Sequence, residues 1–252
     1  MAKRLEGCTA LVTGASSGIG EATAVELAAQ GARVVLVARR AERLAEVADR
    51  IATAGGQARV LAADIAERGV PAQVVADVVA TERRLDIVIN AAGIMLNGDS
   101  MDRPLSEWEQ MVDLNLTALL ATTKAALPHL VQAAQGGRGV ADVVNISSIA
   151  GRVASGTAAV YNATKFGVTA FSEAMRQEFA RRDVRVSVVE PGAVSTELFE
   201  HQAPKAQERL SRILDKVEYL HPEDVAETIA HIITRPRRVA LAEIVIRPTD
   251  HI

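Results

Sequence analysis

The sequence predicts a single doubly wound α/β domain, and two observations carry that reading. Short β-branched runs alternate along the whole chain with longer helical stretches. The strand candidates are nearly continuous in Val, Ile and Leu instead of alternating with polar residues. Strands of that composition are covered on both faces, so the alternation implies right-handed crossovers and a parallel sheet between two helical layers. No Pro/Gly/Ser-rich linker, internal repeat or low-complexity segment divides the 252 residues, a length that suits one large α/β domain.

The elements follow in order. "TALVT" is the first strand, and a glycine turn after it opens a helix near Gly18. "RVVLVA" precedes a helix from about Ala41, and "ARVLAA" precedes one from about Val70. "LDIVIN" leads to a helix beginning near Glu107 and on into the apolar stretch Leu114 to Ala134. The cluster "QGGRGV" then ends that helix before the strand "VADVVNIS". A helix from about Val160, the strand "VRVSVVE", a helix from Pro222 and the strand "EIVIR" complete the pattern.

Composition narrows the function classes. A net charge of −3 gives no electrostatic reason to expect nucleic-acid or membrane binding. The single cysteine, Cys8, excludes an intrachain disulfide and a thiolate-rich metal site, and its place in "CTALVTG" suits a small buried apolar role. His201, His221 and His231 have no ligand spacing with Cys or Asp, so no metal is expected. The basic start lacks a cleavage-like segment, and Asn115, Lys124, Pro128 and His129 interrupt the longest apolar stretch; a cytoplasmic protein is the expectation.

The first βα junction, "LVTGASSGIGEATA", places Gly14, Gly18 and Gly20 between a strand and a helix. Glycines there permit a tight turn and let backbone N–H groups approach a pyrophosphate at the positive end of the helix. After the second strand stand Ala38, Arg39 and Arg40, where an NAD-selective fold carries an acidic residue for the ribose hydroxyls. A guanidinium makes a bidentate, charge-assisted contact with a ribose 2′-phosphate, which favours NADP; two solvated arginines at a helix start are the other reading. "AADI" puts Asp64 and Ile65, and "IVINAAGI" puts Asn90, Ala91 and Gly93, at strand ends facing the same crevice, although each is also an ordinary strand-to-loop transition.

"YNATK" places Tyr161 and Lys165 four residues apart, and Lys165 is the only formal charge between Val153 and Ser172. On a helix the two share a face. A cation about 5 Å away at an effective dielectric of about 20 favours the phenolate by roughly 3 kcal/mol, or about two pKa units. The pair is either a tuned acid/base or a packed tyrosine beside a lysine on the helix rim. Ser148, at the end of "VVNISS", is a hydroxyl able to hold a carbonyl oxygen while the tyrosine protonates it. Asn115 interrupts an apolar helix and needs a buried partner, a water or a kink.

Taken together, "TGASSGIG", "NAAG", Asn115, Ser148, "YNATK" and "PGAVST" resemble the short-chain dehydrogenase/reductase family in its compact, NADP-dependent form. The resemblance implies a Rossmann fold with a seven-stranded parallel sheet and a homotetramer. It implies a catalytic set of Asn115, Ser148, Tyr161 and Lys165: Tyr161 as general acid or base, Lys165 lowering its pKa and contacting the nicotinamide ribose, Ser148 orienting the substrate oxygen, and Asn115 supporting a proton-conducting water. Gly14, Ser16, Ser17, Gly18, Ile19 and Gly20 would form the cofactor turn, and Pro191, Gly192, Val194 and Thr196 would receive the nicotinamide end. The family's usual second asparagine after Asn90 is Ala91 here, which removes one amide and leaves backbone contacts. The implied activity is hydride transfer between NADP(H) and a small carbonyl or alcohol, with 3-oxo or 3-hydroxy acids as another substrate class. A nucleotide sensor would need the glycine turn but not the proton relay, and an epimerase or dehydratase usually has more substrate-binding sequence. Substrate choice is expected in a lid around 196–220, where His201, Lys205, Arg209 and Arg212 either attract a carboxylate or form a solvated face.

Overall fold

The computed structural model describes residues 3–199, 202, 207–208 and 216–250. Its core is a seven-stranded sheet, all parallel, in the order β3-β2-β1-β4-β5-β6-β7. The strands are β1 (Thr9–Thr13), β2 (Arg33–Ala38), β3 (Gln57–Ala62), β4 (Ile87–Asn90), β5 (Ala141–Ile146), β6 (Val184–Pro191) and β7 (Glu243–Ile246). The helices between them are α1 (Gly18–Ala29), α2 (Ala41–Thr53), α3 (Val70–Glu82), α4 (Leu105–Val112), α5 (Ala118–Ala134), α6 (Ala159–Phe179) and, as numbered here, α7 (Pro222–Ile233). No helix among the described residues is long and apolar enough to cross a membrane.

The continuous apolar strands have two covered faces, and successive residues divide between two cores. Ala10 and Val12 of β1, Val34 and Leu36 of β2, and Ile87 and Ile89 of β4 pack with α1, α2 and α7 through Leu27, Leu44 and Ile229. Leu11, Val35, Val37 and Val88 point the other way, to α3, α5 and α6 through Val78, Leu130 and Phe179. Each of the buried Val, Leu and Ile side chains contributes about 1.5–3 kcal/mol relative to exposure. Winding reverses between β1, which neighbours β2, and β4, which starts the second half; that switch point opens a crevice at the carboxyl ends of the strands.

Two stretches differ from the sequence reading. The helix expected from about Glu107 starts at Leu105 and passes through a π-helical turn, Asp113–Thr117, before α5. The widened turn has its reason in Asn115, described below. Leu114 to Ala134, read from sequence as one apolar stretch, divides in the fold: Leu119, Leu127 and Leu130 are buried within the chain, and Lys124, Pro128 and Gln132 face out. Downstream, Gly137 (φ 54°) and Gly139 (φ 67°) take the left-handed backbone that closes the connection to β5.

Candidate active site

The crevice is a cavity of about 460 Å³ that runs from the β1–α1 turn across the strand ends to the segment after β6. At one end the chain turns through Gly14 (φ 68°) to enter α1. A Cβ on Gly14 would stand 2.8 Å from the Ala92 backbone, and one on Gly20 would stand 2.4 Å from the Gly14 carbonyl oxygen. Glycine at these positions leaves a backbone-lined cradle, with Ser16, Ser17, Gly18 and Ile19 completing its lining at the start of the helix.

The basic residues after β2 reach the same end. Arg40 donates to Ser16 Oγ from Nε (3.2 Å) and Nη2 (3.1 Å), to Ser17 Oγ from Nη2 (2.8 Å), and to Glu197 Oε2 from Nη1 (2.9 Å). Arg39 is more open: its side chain is 63% exposed, and its Nη1 lies 3.6 Å from Asp64 Oδ2. Asp64 also accepts the Ala66 N–H at 3.0 Å, and Ile65 beside it is buried in the crevice wall. Ala38 lines this end too, with only a methyl side chain.

After β4 the loop is held from below. Thr13 Oγ1 accepts the Ala91 and Ala92 N–H groups at 3.2 and 3.3 Å, so Ala91 and Gly93 line the crevice. Asn90 departs from expectation. Its side chain faces inward, where Nδ2 donates to Asn145 Oδ1 (2.8 Å) and Thr123 Oγ1 (3.0 Å), tying β4 to β5 and α5 rather than lining the cavity. The strand-end position was readable from sequence, but strand alternation sends this residue to the core.

Asn115 is 1% exposed in the π turn. Its amide makes a two-way bond with one backbone residue: Nδ2 donates to the Ile94 carbonyl at 2.8 Å and Oδ1 accepts the Ile94 N–H at 2.8 Å. Nδ2 also lies 3.3 Å from Thr164 Oγ1 on α6. The π turn thus places an amide where it pins the loop after β4 against the helix bearing Tyr161 and Lys165. Such turns frequently mark functional positions.

Ser148 begins a short 3-10 turn after β5, and its Oγ accepts the Ala150 N–H at 3.1 Å. Asn162, next to Tyr161, donates from Nδ2 to the Ala150 carbonyl at 2.7 Å, locking that turn to the first turn of α6. The Ser148 hydroxyl lies near enough to the Tyr161 phenol to lower its pKa slightly, and the phenol packs in a buried apolar cluster with Met95, Met111, Trp108, Leu198 and Phe199. Lys165 Nζ sits 5.7 Å from the Tyr161 ring centre and donates to the Ile146 carbonyl at 2.8 Å.

The expected depression of the tyrosine pKa is not what the chain by itself produces. Burial pushes the Tyr161 phenol up to about 12, against a smaller lowering by Ser148, and burial pushes Lys165 down to about 8. Desolvation opposes both charged forms, and at this depth it outweighs the attraction that spacing alone suggested.

Pro191, Gly192, Val194 and Thr196 line the far end of the cavity, with the Gly192 N–H held by the Ile246 carbonyl at 2.8 Å. Ala92, Ile94, Ser147, Glu197, Leu198 and Phe199 also line it and were not singled out from sequence. Ala92 and Ile94 were within reach of the "NAAGI" motif, whereas Glu197 and Phe199 fall in a connection with no periodicity to place them. His201, Lys205, Arg209 and Arg212 of the expected lid lie outside the described residues.

Comparison with known proteins agrees with this geometry. The family model for short chain dehydrogenases matches residues 8–207. An uncharacterized oxidoreductase of Staphylococcus aureus (strain MRSA252) is 34% identical over 239 residues, 95% of this chain and 96% of that protein. A metagenomic short-chain oxidoreductase, solved in complex with NADP, superimposes with a TM-score of 0.82 at 32% identity, covering 98% of this chain and 99% of the other. Serine dehydrogenase in its closed form with NADP+ gives a TM-score of 0.84 at 30% identity, covering 94% of each chain. With a family match across most of its length and a crevice of this construction, the chain belongs to the short-chain dehydrogenase family, whose members are oxidoreductases.

Proposed function

We propose that this protein is an NADP-dependent reductase or dehydrogenase of a small carbonyl/alcohol substrate, with Tyr161 as its proton donor and acceptor. The observation that carries the reading is that Ser148, Tyr161 and Lys165, the last 5.7 Å from the Tyr161 ring, line the same crevice as the glycine turn. The tight turn that only glycine at positions 14 and 20 allows, because a Cβ there would strike neighbouring backbone, brings the N-terminus of α1 to the crevice, where it fits the pyrophosphate of a dinucleotide. Arg39, with Arg40 and Ser16 nearby, fits a 2′-phosphate better than a bare ribose. The NADP complexes of the structural relatives support the same cofactor. NADP(H), when bound, supplies or accepts the hydride.

The remaining work belongs to the chain. Ser148 Oγ holds the substrate oxygen next to the Tyr161 phenol, which gives its proton in reduction and takes one in oxidation. A phenol at about 12 stays protonated at neutral pH, as carbonyl reduction requires. Lys165 places a cation near the phenolate left by proton transfer, where it is stabilising. Asn115 fixes Ile94 and the loop that forms the floor. Asp64, Ile65, Ala91, Gly93, Pro191, Gly192, Val194 and Thr196 hold the cofactor along its length in this reading.

Ile94, Leu198 and Phe199, which line the cavity beside Tyr161, support a substrate with an apolar flank. Likeness of "AGIML", "SSIAGRV", "YNATKFGV" and "IRPTD" to clavulanic acid dehydrogenase supports an aldehyde or ketone of secondary metabolism. The working form is a homotetramer in this reading, and 196–220 acts as the substrate lid. NADPH oxidation with a panel of aldehydes, ketones and 3-oxo acids tests the proposal. Turnover with a neutral carbonyl compound is expected; NADPH binding without turnover on any member would favour the sensor instead.

A further inference from the structure

The arginines at the proposed phosphate end are already engaged by an acid. Arg40 Nη1 donates to Glu197 Oε2 at 2.9 Å, and Arg43, one turn along α2, donates to the other oxygen, Glu197 Oε1. Each carboxylate oxygen therefore takes one guanidinium. Glu197 follows Thr196 directly and opens a short 3-10 turn, Glu197–Phe199, so these ion pairs bridge the two rims of the crevice. The guanidiniums of Arg40 and Arg43 hold its carboxyl below the usual range, which keeps it anionic at neutral pH. All three side chains are partly exposed.

We propose that Glu197 is a specificity-determining counter-anion, which occupies Arg40 and Arg43 until the 2′-phosphate of the dinucleotide takes them. The inference rests on the NADP reading above. A phosphate entering beside Arg40 must displace the carboxylate or lie next to it, and either event opposes binding. An unphosphorylated ribose needs no guanidinium and meets no such competition. Partly exposed ion pairs are individually weak, so the carboxylate is displaceable. Arg39, turned toward Asp64 rather than Glu197, stays available as the first contact. Glu197 thus narrows the preference for NADP that Arg39 and Arg40 create. Displacement also frees the turn bearing Leu198 and Phe199, which pack on the Tyr161 side of the cavity.

The test uses Glu197→Gln, which keeps the shape and removes the charge, and reads binding by calorimetry with 2′,5′-ADP and 5′-AMP. The expected result is that 2′,5′-ADP binds about three- to tenfold tighter to the variant, that 5′-AMP stays within about twofold, and that the gain shrinks at high salt. Unchanged or weaker 2′,5′-ADP binding, or equal tightening of both ligands, overturns the inference. A wild type that does not prefer 2′,5′-ADP over 5′-AMP sinks the NADP reading itself. A wild-type preference that ignores Glu197→Gln sinks only the role of Glu197.

Discussion

At the scale of single residues, the acid–base behaviour of the site turns on how strongly burial disfavours charge at Tyr161 and Lys165. Tyr161 and Lys165 share a helix face, and the sequence says so. Their protonation depends on how much water the fold removes, which spacing does not reveal. Lys165 at about 8 makes a pH prediction: its charge is present below that value and is lost as pH rises through it. The rate kcat/KM for carbonyl reduction reports the free enzyme, so it should hold level near neutrality and fall above about pH 8, by about tenfold per unit, with Tyr161 still protonated. A profile that stays level through pH 10 would remove Lys165 from the proton chemistry. Cofactor choice is a second residue-scale question. A charge-assisted contact in a partly exposed site is worth about 1.5–3 kcal/mol, so NADPH should be preferred over NADH by about ten- to a hundredfold in kcat/KM. Replacing Ala38 by Asp together with Arg39 by Ala should erase that ratio, chiefly through the cofactor KM. Should the ratio survive the double substitution, Arg39 is only a solvated helix residue.

At the scale of elements, strand and helix identities followed from composition, because strands covered on both faces must be continuously apolar and the glycine turn must follow the first of them. The π turn at Asp113–Thr117 was not readable, since it arises from a partner far along the chain: Asn115 reaches Ile94. The same tertiary demand drew Asn90 away from the crevice and into the β4–β5–α5 core. Asn115→Ala should therefore strip the Ile94 N–H and carbonyl of their partner in a buried place. That costs about 1–3 kcal/mol. Thermal unfolding should show Tm lower by several degrees, at about 2–4 °C per kcal/mol for a chain of this size. An unchanged Tm would mean that water takes over both bonds.

At the scale of the whole molecule, the switch point between β1 and β4 gathers residues from Gly14 to Phe199 into one crevice, which is why motifs so far apart in sequence form one site. The outer surface carries a further consequence. Val112 and Phe166 are exposed on α4 and α6, and Ala159, Ala163, Ala170 and Ala174 form a small-residue stripe beside Phe166. Such surface would suit a partner copy, whereas α5 buries most of its leucines within the chain; Met101, Leu105 and Val153 are exposed elsewhere. Light scattering at micromolar concentration should give an oligomer, and Phe166→Glu should shift it toward smaller species; a monomeric wild type contradicts the assembly. The central claim is that one phenol moves the proton. The most direct measurement is single-turnover NADPH oxidation by Tyr161→Phe, with cofactor binding followed separately by fluorescence and a carbonyl substrate that the wild type turns over. The predicted variant binds NADPH as the wild type does and oxidises it at less than about a tenth of the wild-type rate. Normal binding with a rate above that tenth would show that another group supplies the proton.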